Sequence, residues 1–210
     1  MAYTMTYDSL LDDMRRYLER GFASEEDTIV YEQLPRLVTM AERRISRELK
    51  VEGFIRAVQT TLVAGVSIYP KPDRWRETIS MTLGDVVLFP RAYEFLHAYN
   101  PPSSAAGQPE YYTDYDYHHW LIVPTPATDQ TLEVLYYEQP RFLGSDFQTN
   151  WITEYAPDLL LYAALLEASP FLKNDERVQV WQAMYDRAAQ ALDGEDLKRI
   201  LDRSTNREEA

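Results

Sequence analysis

The spacing of apolar positions changes period twice along the chain. Near the start, Leu10, Leu11, Met14, Tyr17 and Leu18 fall at i, i+1, i+4, i+7 and i+8, which is one face of a helix. Thr6 is placed to cap it, and Gly21 to stop it in a left-handed conformation. Ser24-Glu25-Glu26-Asp27 reads as a capping box opening a short helical turn. A second stripe follows in Leu34, Leu37, Val38, Ala41, Ile45 and Leu49. Pro35 marks its start, because proline is tolerated at the first helical position. Arg43, Arg44, Arg47 and Lys50 crowd the end of this helix, where cations favour its dipole.

From Gly53 the period becomes two. Ile55 to Leu62 alternates, as do Ile79, Met81 and Leu83, and each run predicts a strand. Val86 to Phe89 reads as a short buried strand ending at Pro90. Tyr69-Pro70-Lys71-Pro72 reads as a turn or edge, since proline cannot serve a central ladder. A helical turn is expected over Ala92–Tyr99 and a flexible loop over Asn100–Gly107. Trp120–Val123 and Leu132–Tyr137 complete the strands. No long amphipathic helix separates them, so the sheet is expected to be mainly antiparallel.

The last third returns to helical spacing. Pro157 and Asp158 suit a helix start, and Leu159 to Ala168 carries a single charge, Glu167. A helix apolar on every face must be buried on every face, within the subunit or against a neighbour. Pro170 is expected to end it. Another helix opens near Asn174 or Asp175, places Val178, Trp181, Tyr185, Ala188 and Leu192 on one face, and closes at Gly194. Leu197, Ile200 and Leu201 form a final amphipathic patch, and disorder is expected from Arg203 onward.

These elements predict an α+β chain: a mainly helical bundle formed by N- and C-terminal helices, with a small antiparallel β-sheet inserted. The expected boundaries are 1–52 for the N-terminal helices and 53–147 for the β-rich region. The C-terminal helices take 148–194, and an arm or tail takes 195–210.

Composition narrows the function. The longest apolar run, Leu159 to Leu166, is far short of the ~20 residues a membrane span needs, so no membrane partner is expected. The first residues show no basic region followed by an apolar one, and no secretory signal is expected. Without cysteine, disulfides, thiolate metal sites and cysteine nucleophiles are excluded. The formal net charge of -13 is spread along the chain. A groove gripping phosphates needs clustered Lys and Arg, which this distribution lacks. Acidity serves solubility, but it also suits a DNA mimic or a surface past which DNA slides without sticking. A mimic needs rows of carboxylates, and here basic residues are intermixed throughout.

Candidate chemistry is sparse. The 7 glycines form neither a P-loop nor a dinucleotide fingerprint. His118 and His119 are adjacent on an expected strand, point to opposite faces and cannot share a metal. No catalytic residue, metal site or cofactor is expected. The aromatic run through Tyr112, Tyr115, Tyr117 and Trp120 is the densest unusual feature. With Asp114 and Asp116 interleaved, it argues against nucleic acid; contact with another protein subunit is the preferred reading, with plain packing inside the sheet the alternative.

Several segments in order resemble one family. Leu34-Pro-Arg-Leu37 with Ala41-Glu-Arg-Arg-Ile-Ser-Arg-Glu-Leu49, then Gly107-Gln-Pro-Glu-Tyr-Tyr112, Leu121-Ile-Val-Pro-Thr-Pro126 and Leu135-Tyr-Tyr-Glu-Gln-Pro140, resemble phage head–tail adaptor proteins. So do Thr149-Asn-Trp-Ile152, Tyr155 through Leu172, Asp175-Glu-Arg177 and Trp181. The resemblance implies a structural virion protein without enzymatic activity, assembled in host cytoplasm as a ring of twelve copies between portal and tail or nozzle. Genomic DNA would pass through the lumen without specific binding. Carried onto this chain, it places Leu197, Ile200, Leu201 and Arg203 at the portal. Tyr112, Tyr115, Tyr117 and Trp120 are expected, from their own chemistry, at a tail-partner or subunit interface, since Asp114 to His119 departs from the family in being more acidic and aromatic than its short hairpin. The alternatives are the DNA mimic and, since some connectors carry lytic activity, a muramidase-like connector with a cleft carboxyl of raised pKa.

Overall fold

The computed structural model describes residues 4–21, 27–101, 104–172 and 176–208. The N-terminal part forms α1 (Tyr7–Leu18) and α2 (Thr28–Glu48). The middle forms β1 (Ile55–Leu62), β2 (Ile68–Pro70), β3 (Trp75–Leu83), β4 (Val86–Pro90), α3 (Tyr93–Tyr99), β5 (Tyr111–Asp114), β6 (His119–Val123) and β7 (Gln130–Glu138). The C-terminal part forms α4 (Trp151–Tyr155), α5 (Pro157–Leu172) and α6 (Val178–Glu208). Among the described residues this is an α+β chain of six α-helices and one seven-stranded sheet. It divides into two compact units, Met1–Gly53 with Pro140–Ala210, and Phe54–Gln139.

In the helical unit, α1 starts where the Thr6 hydroxyl accepts the Ser9 N–H at 3.2 Å, one half of a reciprocal capping box. It buries Leu10, Leu11, Met14 and Leu18, whereas Tyr17 is exposed. The left-handed stop falls on Glu19, two residues before Gly21. Helix α2 does not begin at Pro35 but runs through it from Thr28. An internal proline costs ~3 kcal/mol. Burial of Val30 and Leu34 on the turn before it and Leu37 and Val38 after it offsets that cost. Residues 24–26 of the expected capping box lie outside the described residues; Asp27 stands at the N-cap without a side-chain cap bond.

Helix α5 has no solvent face through its middle, because α1, α2, α4 and α6 all pack on it. Leu159, Leu160, Ala163, Ala164 and Leu165 are buried. Pro157 opens it as expected, but Pro170 sits inside its last turn instead of ending it. Helix α6 starts at Val178 and continues through Gly194 to Glu208, so neither the expected stop nor the expected disorder from Arg203 is observed. A helical glycine costs only ~1 kcal/mol, too little to end a helix alone. Asn174 and Asp175 lie outside the described residues.

The sheet unit has strand order β1-β7-β3-β4-β5-β6-β2. All neighbours are antiparallel except β4 and β5. Residues 63–67 alone connect the two outermost strands, so the sheet curls until its ends approach. Tyr69 secures the link: its hydroxyl accepts the Val63 N–H at 2.9 Å and lies 2.8 Å from the Val66 carbonyl. The interior is filled by Leu62, Met81, Leu88, Trp120, Ile122 and Val134. Strand β4 is not the buried strand expected: only Leu88 points inward, while Val86, Val87 and Phe89 are exposed. The Asn100–Gly107 segment is pinned at its far end, where the Gly107 N–H donates to the Thr125 carbonyl at 2.8 Å. Residues 102 and 103 lie outside the described residues.

Candidate functional site

The tyrosine-rich segment forms the β5–β6 hairpin, whose alternation splits the expected contact residues in two. Tyr112 pairs with Ile122 across the hairpin, and both face the core. Trp120 is 1 % exposed; its indole N–H donates to Thr78 Oγ1 at 3.1 Å, and its ring meets Trp75 edge-on. Tyr112 and Trp120 are therefore core residues, and their assignment to an interface is corrected. Tyr115 and Tyr117, by contrast, are 46 % and 74 % exposed. The hairpin tip is braced from within. The Asp116 carboxylate accepts the N–H groups of His118 and His119 at 2.6 and 2.7 Å and lies 2.9 Å from His119 Nδ1. The His119 side-chain bond foremost, with those backbone bonds, holds the Asp116 carboxyl below its ordinary pKa. Lys71 bonds the Asp116 carbonyl and the Asp114 carboxylate, each at 2.8 Å, above the face of Trp75.

Helix α3 adds aromatics that were not singled out from sequence. Its only buried residue is Leu96, so Tyr93, Phe95 and Tyr99 stay outside at 42 to 47 % exposure. They join the hairpin: Tyr93 lies 6.1 Å from Tyr115, and Phe95 and Tyr99 stack on each other and meet Tyr111 edge-on. The Tyr99 hydroxyl donates to Glu110 at 3.1 Å, which raises its pKa. The signal was present, since a seven-residue helix with one aliphatic anchor must leave its rings outward. Beside this face a cleft of about 420 Å³ is lined by Glu77, Thr78, Arg91, Tyr112 and Asp114, among others.

The other expected contact residues, Leu197, Ile200, Leu201 and Arg203, fall on the C-terminal half of α6. Their side chains lie outside the described residues.

Carboxyl chemistry is tied up in structure. Glu42 is fully buried and its pKa is raised to about 7, first by desolvation. It accepts the Leu143 N–H at 3.1 and 3.2 Å and the Asn150 amide at 2.7 Å. That is an anchor between α2 and the segment leading to α4, not a cleft acid. Glu48 accepts the Tyr185 hydroxyl and pairs with Arg44, tying α2 to α6. Among the described residues no group of His, Asp or Glu side chains is placed to hold a metal. No helix among them is long and apolar enough to cross a membrane.

What stands out on this chain is the exposed aromatic surface of α3 and the β5–β6 hairpin. Over residues 5–207 the sequence matches the SU10 adaptor protein family, and the chain belongs to that family of phage head–tail adaptors. It is thereby a structural phage protein of the virion. No curated protein matches the chain.

Proposed function

We propose that this chain forms a ring of twelve copies between the portal and the tail or nozzle, assembled in the host cytoplasm and extending the channel for DNA. In this reading the helices of the N- and C-terminal parts form a bundle that carries the ring, and the sheet is an insertion presented from it. The observation that carries the reading is the exposed aromatic face, Tyr93, Phe95, Tyr99 and Tyr115, on an acidic chain that belongs to an adaptor family. Contiguous exposed apolar surface of this kind marks interaction sites. The length of α6 supports a portal contact. Its 31 residues span roughly 46 Å against roughly 24 Å for the 16 residues of α5, so much of α6 runs past the helix it packs on. Leu197, Ile200, Leu201 and Arg203 lie on that extension and are proposed to meet the portal. The distributed net charge of -13 suits a lumen that the genome passes without binding.

A DNA mimic needs free carboxylate rows, yet Asp12, Glu48, Asp114 and Glu138 are each paired with a cation. The muramidase reading needs a cleft acid, and the carboxyl of raised pKa is the buried Glu42. Electron microscopy of the purified protein mixed with portal assemblies tests the proposal. A ring added beneath the portal is expected; a protein that stays monomeric and leaves the portal bare refutes it.

A further inference from the structure

We infer that neighbouring copies of this chain meet head to tail, with the basic face of α2 on one copy seated on the aromatic face of α3 and β5 on the next. The inference rests on the ring reading and names the contact that would close it.

The receiving face carries exposed rings with carboxylates among them. Between Arg91 and His119 the chain has Glu94, Glu110, Asp114 and Asp116 against the single cation Arg91. Asp114 is engaged by Lys71 and Asp116 by His119. Glu94 and Glu110 are left exposed beside Phe95 and Tyr99, with Glu110 accepting the Tyr99 hydroxyl.

The complementary surface is on the same chain. Arg36, Met40, Arg43 and Arg47 follow at i, i+4, i+7 and i+11 and share one face of α2. All four are exposed. None of the three arginines has a carboxylate within ion-pair distance among the described residues, although acids outnumber bases 34 to 21 in the sequence. Arg43 lies over the Phe142 ring, and the Arg47 side chain donates to the Arg43 carbonyl. Guanidinium groups stack on aromatic faces and fork onto carboxylates, so Tyr, Phe and Glu are the partners this stripe recognises.

Charge also decides the symmetry. A two-fold contact between aromatic faces would bring two acidic faces together, which is repulsive. A contact between two different faces is heterologous, repeats from copy to copy and generates a ring when the rotation closes.

Because the chain has no cysteine, the contact can be trapped cleanly. A double variant, Met40→Cys with Phe95→Cys, is oxidised after assembly on portals and run on a non-reducing gel. A ladder extending past the dimer is expected, with neither single variant giving one. In parallel, Arg36→Glu with Arg43→Glu and Arg47→Glu is expected to weaken ring assembly about tenfold or more. Glu94→Arg with Glu110→Arg is expected to do the same, and combining both sets in one chain to restore most of the loss. If rings form but no ladder appears and both reversals assemble like wild type, the contact lies elsewhere while the ring reading stands. If wild type adds no ring to the portal, the ring reading fails and this contact with it.

Discussion

Glu42 allows a quantitative test of how the helical unit holds its irregular segment. The side chain is fully buried, and every hydrogen bond it makes is accepted: from the Leu143 N–H and from the Asn150 amide. Asn150 in turn caps α4 through the N–H groups of Ile152 and Thr153. Desolvation raises the Glu42 pKa from 4.5 to about 7 against those bonds, which pull it down. The folded state thus binds this proton more tightly than the unfolded state does. The stabilisation is fully present below about pH 4.5 and is lost as pH rises through about 7, amounting to about 3 kcal/mol. Other carboxylates titrate as well, so the informative quantity is the difference between wild type and Glu42→Gln, which carries no charge at any pH. Urea unfolding followed by far-UV circular dichroism supplies it at steps from about pH 5 to about pH 8. The variant is expected to gain about 2–3 kcal/mol on wild type across that range, on top of a constant penalty for one lost acceptor. A difference that does not change with pH refutes a buried carboxyl titrating near neutrality.

Four further substitutions probe the packing. Gly53→Ala places a Cβ 2.0 Å from the Trp151 indole, and overpacking of this kind is expected to cost about 1–3 kcal/mol, read as a lower urea midpoint. Trp120→Ala is expected to destabilise by about 3–5 kcal/mol, whereas Tyr117→Ala, 74 % exposed, changes stability by less than about 0.5 kcal/mol. Equal effects would overturn the division of the hairpin into core and surface. Tyr185→Phe keeps the buried ring but removes the hydrogen bond to Glu48, and a loss of about 1–2 kcal/mol in thermal or urea unfolding is expected.

Sequence periodicity located most of the elements because burial imposes the period. The α1 face, the alternation of β7 and the all-round apolar run of α5 are direct records of what each residue touches. Boundaries were less legible where a local signal competes with packing. Pro35, Pro170 and Gly194 all look like breaks, yet each sits inside a helix: tertiary contacts of neighbouring turns hold the two prolines, and a helical glycine costs too little to end a helix alone. The exposed aromatic surface was half legible. The tyrosine run pointed to the hairpin, but only strand pairing shows that Tyr112 and Trp120 face inward. The rings of α3 lie a loop away in sequence and meet Tyr111 and Tyr115 only through the fold.

Helix α5 bears on assembly. An apolar helix without a polar side must be buried on every face, and its sequence leaves open whether the subunit or a neighbour does so. In the folded chain α1, α2, α4 and α6 supply that burial, and nothing on its buried middle is left for another copy. In the proposed ring contact, folding and assembly draw on different residues: the first on α5 and the sheet interior, the second on exposed rings and arginines that stabilise the single chain little. Substitutions on α2 and α3 surfaces should then weaken assembly in chains whose unfolding midpoints are unchanged. Such a separation of phenotypes is what a subunit needs if it must fold alone before it joins a ring.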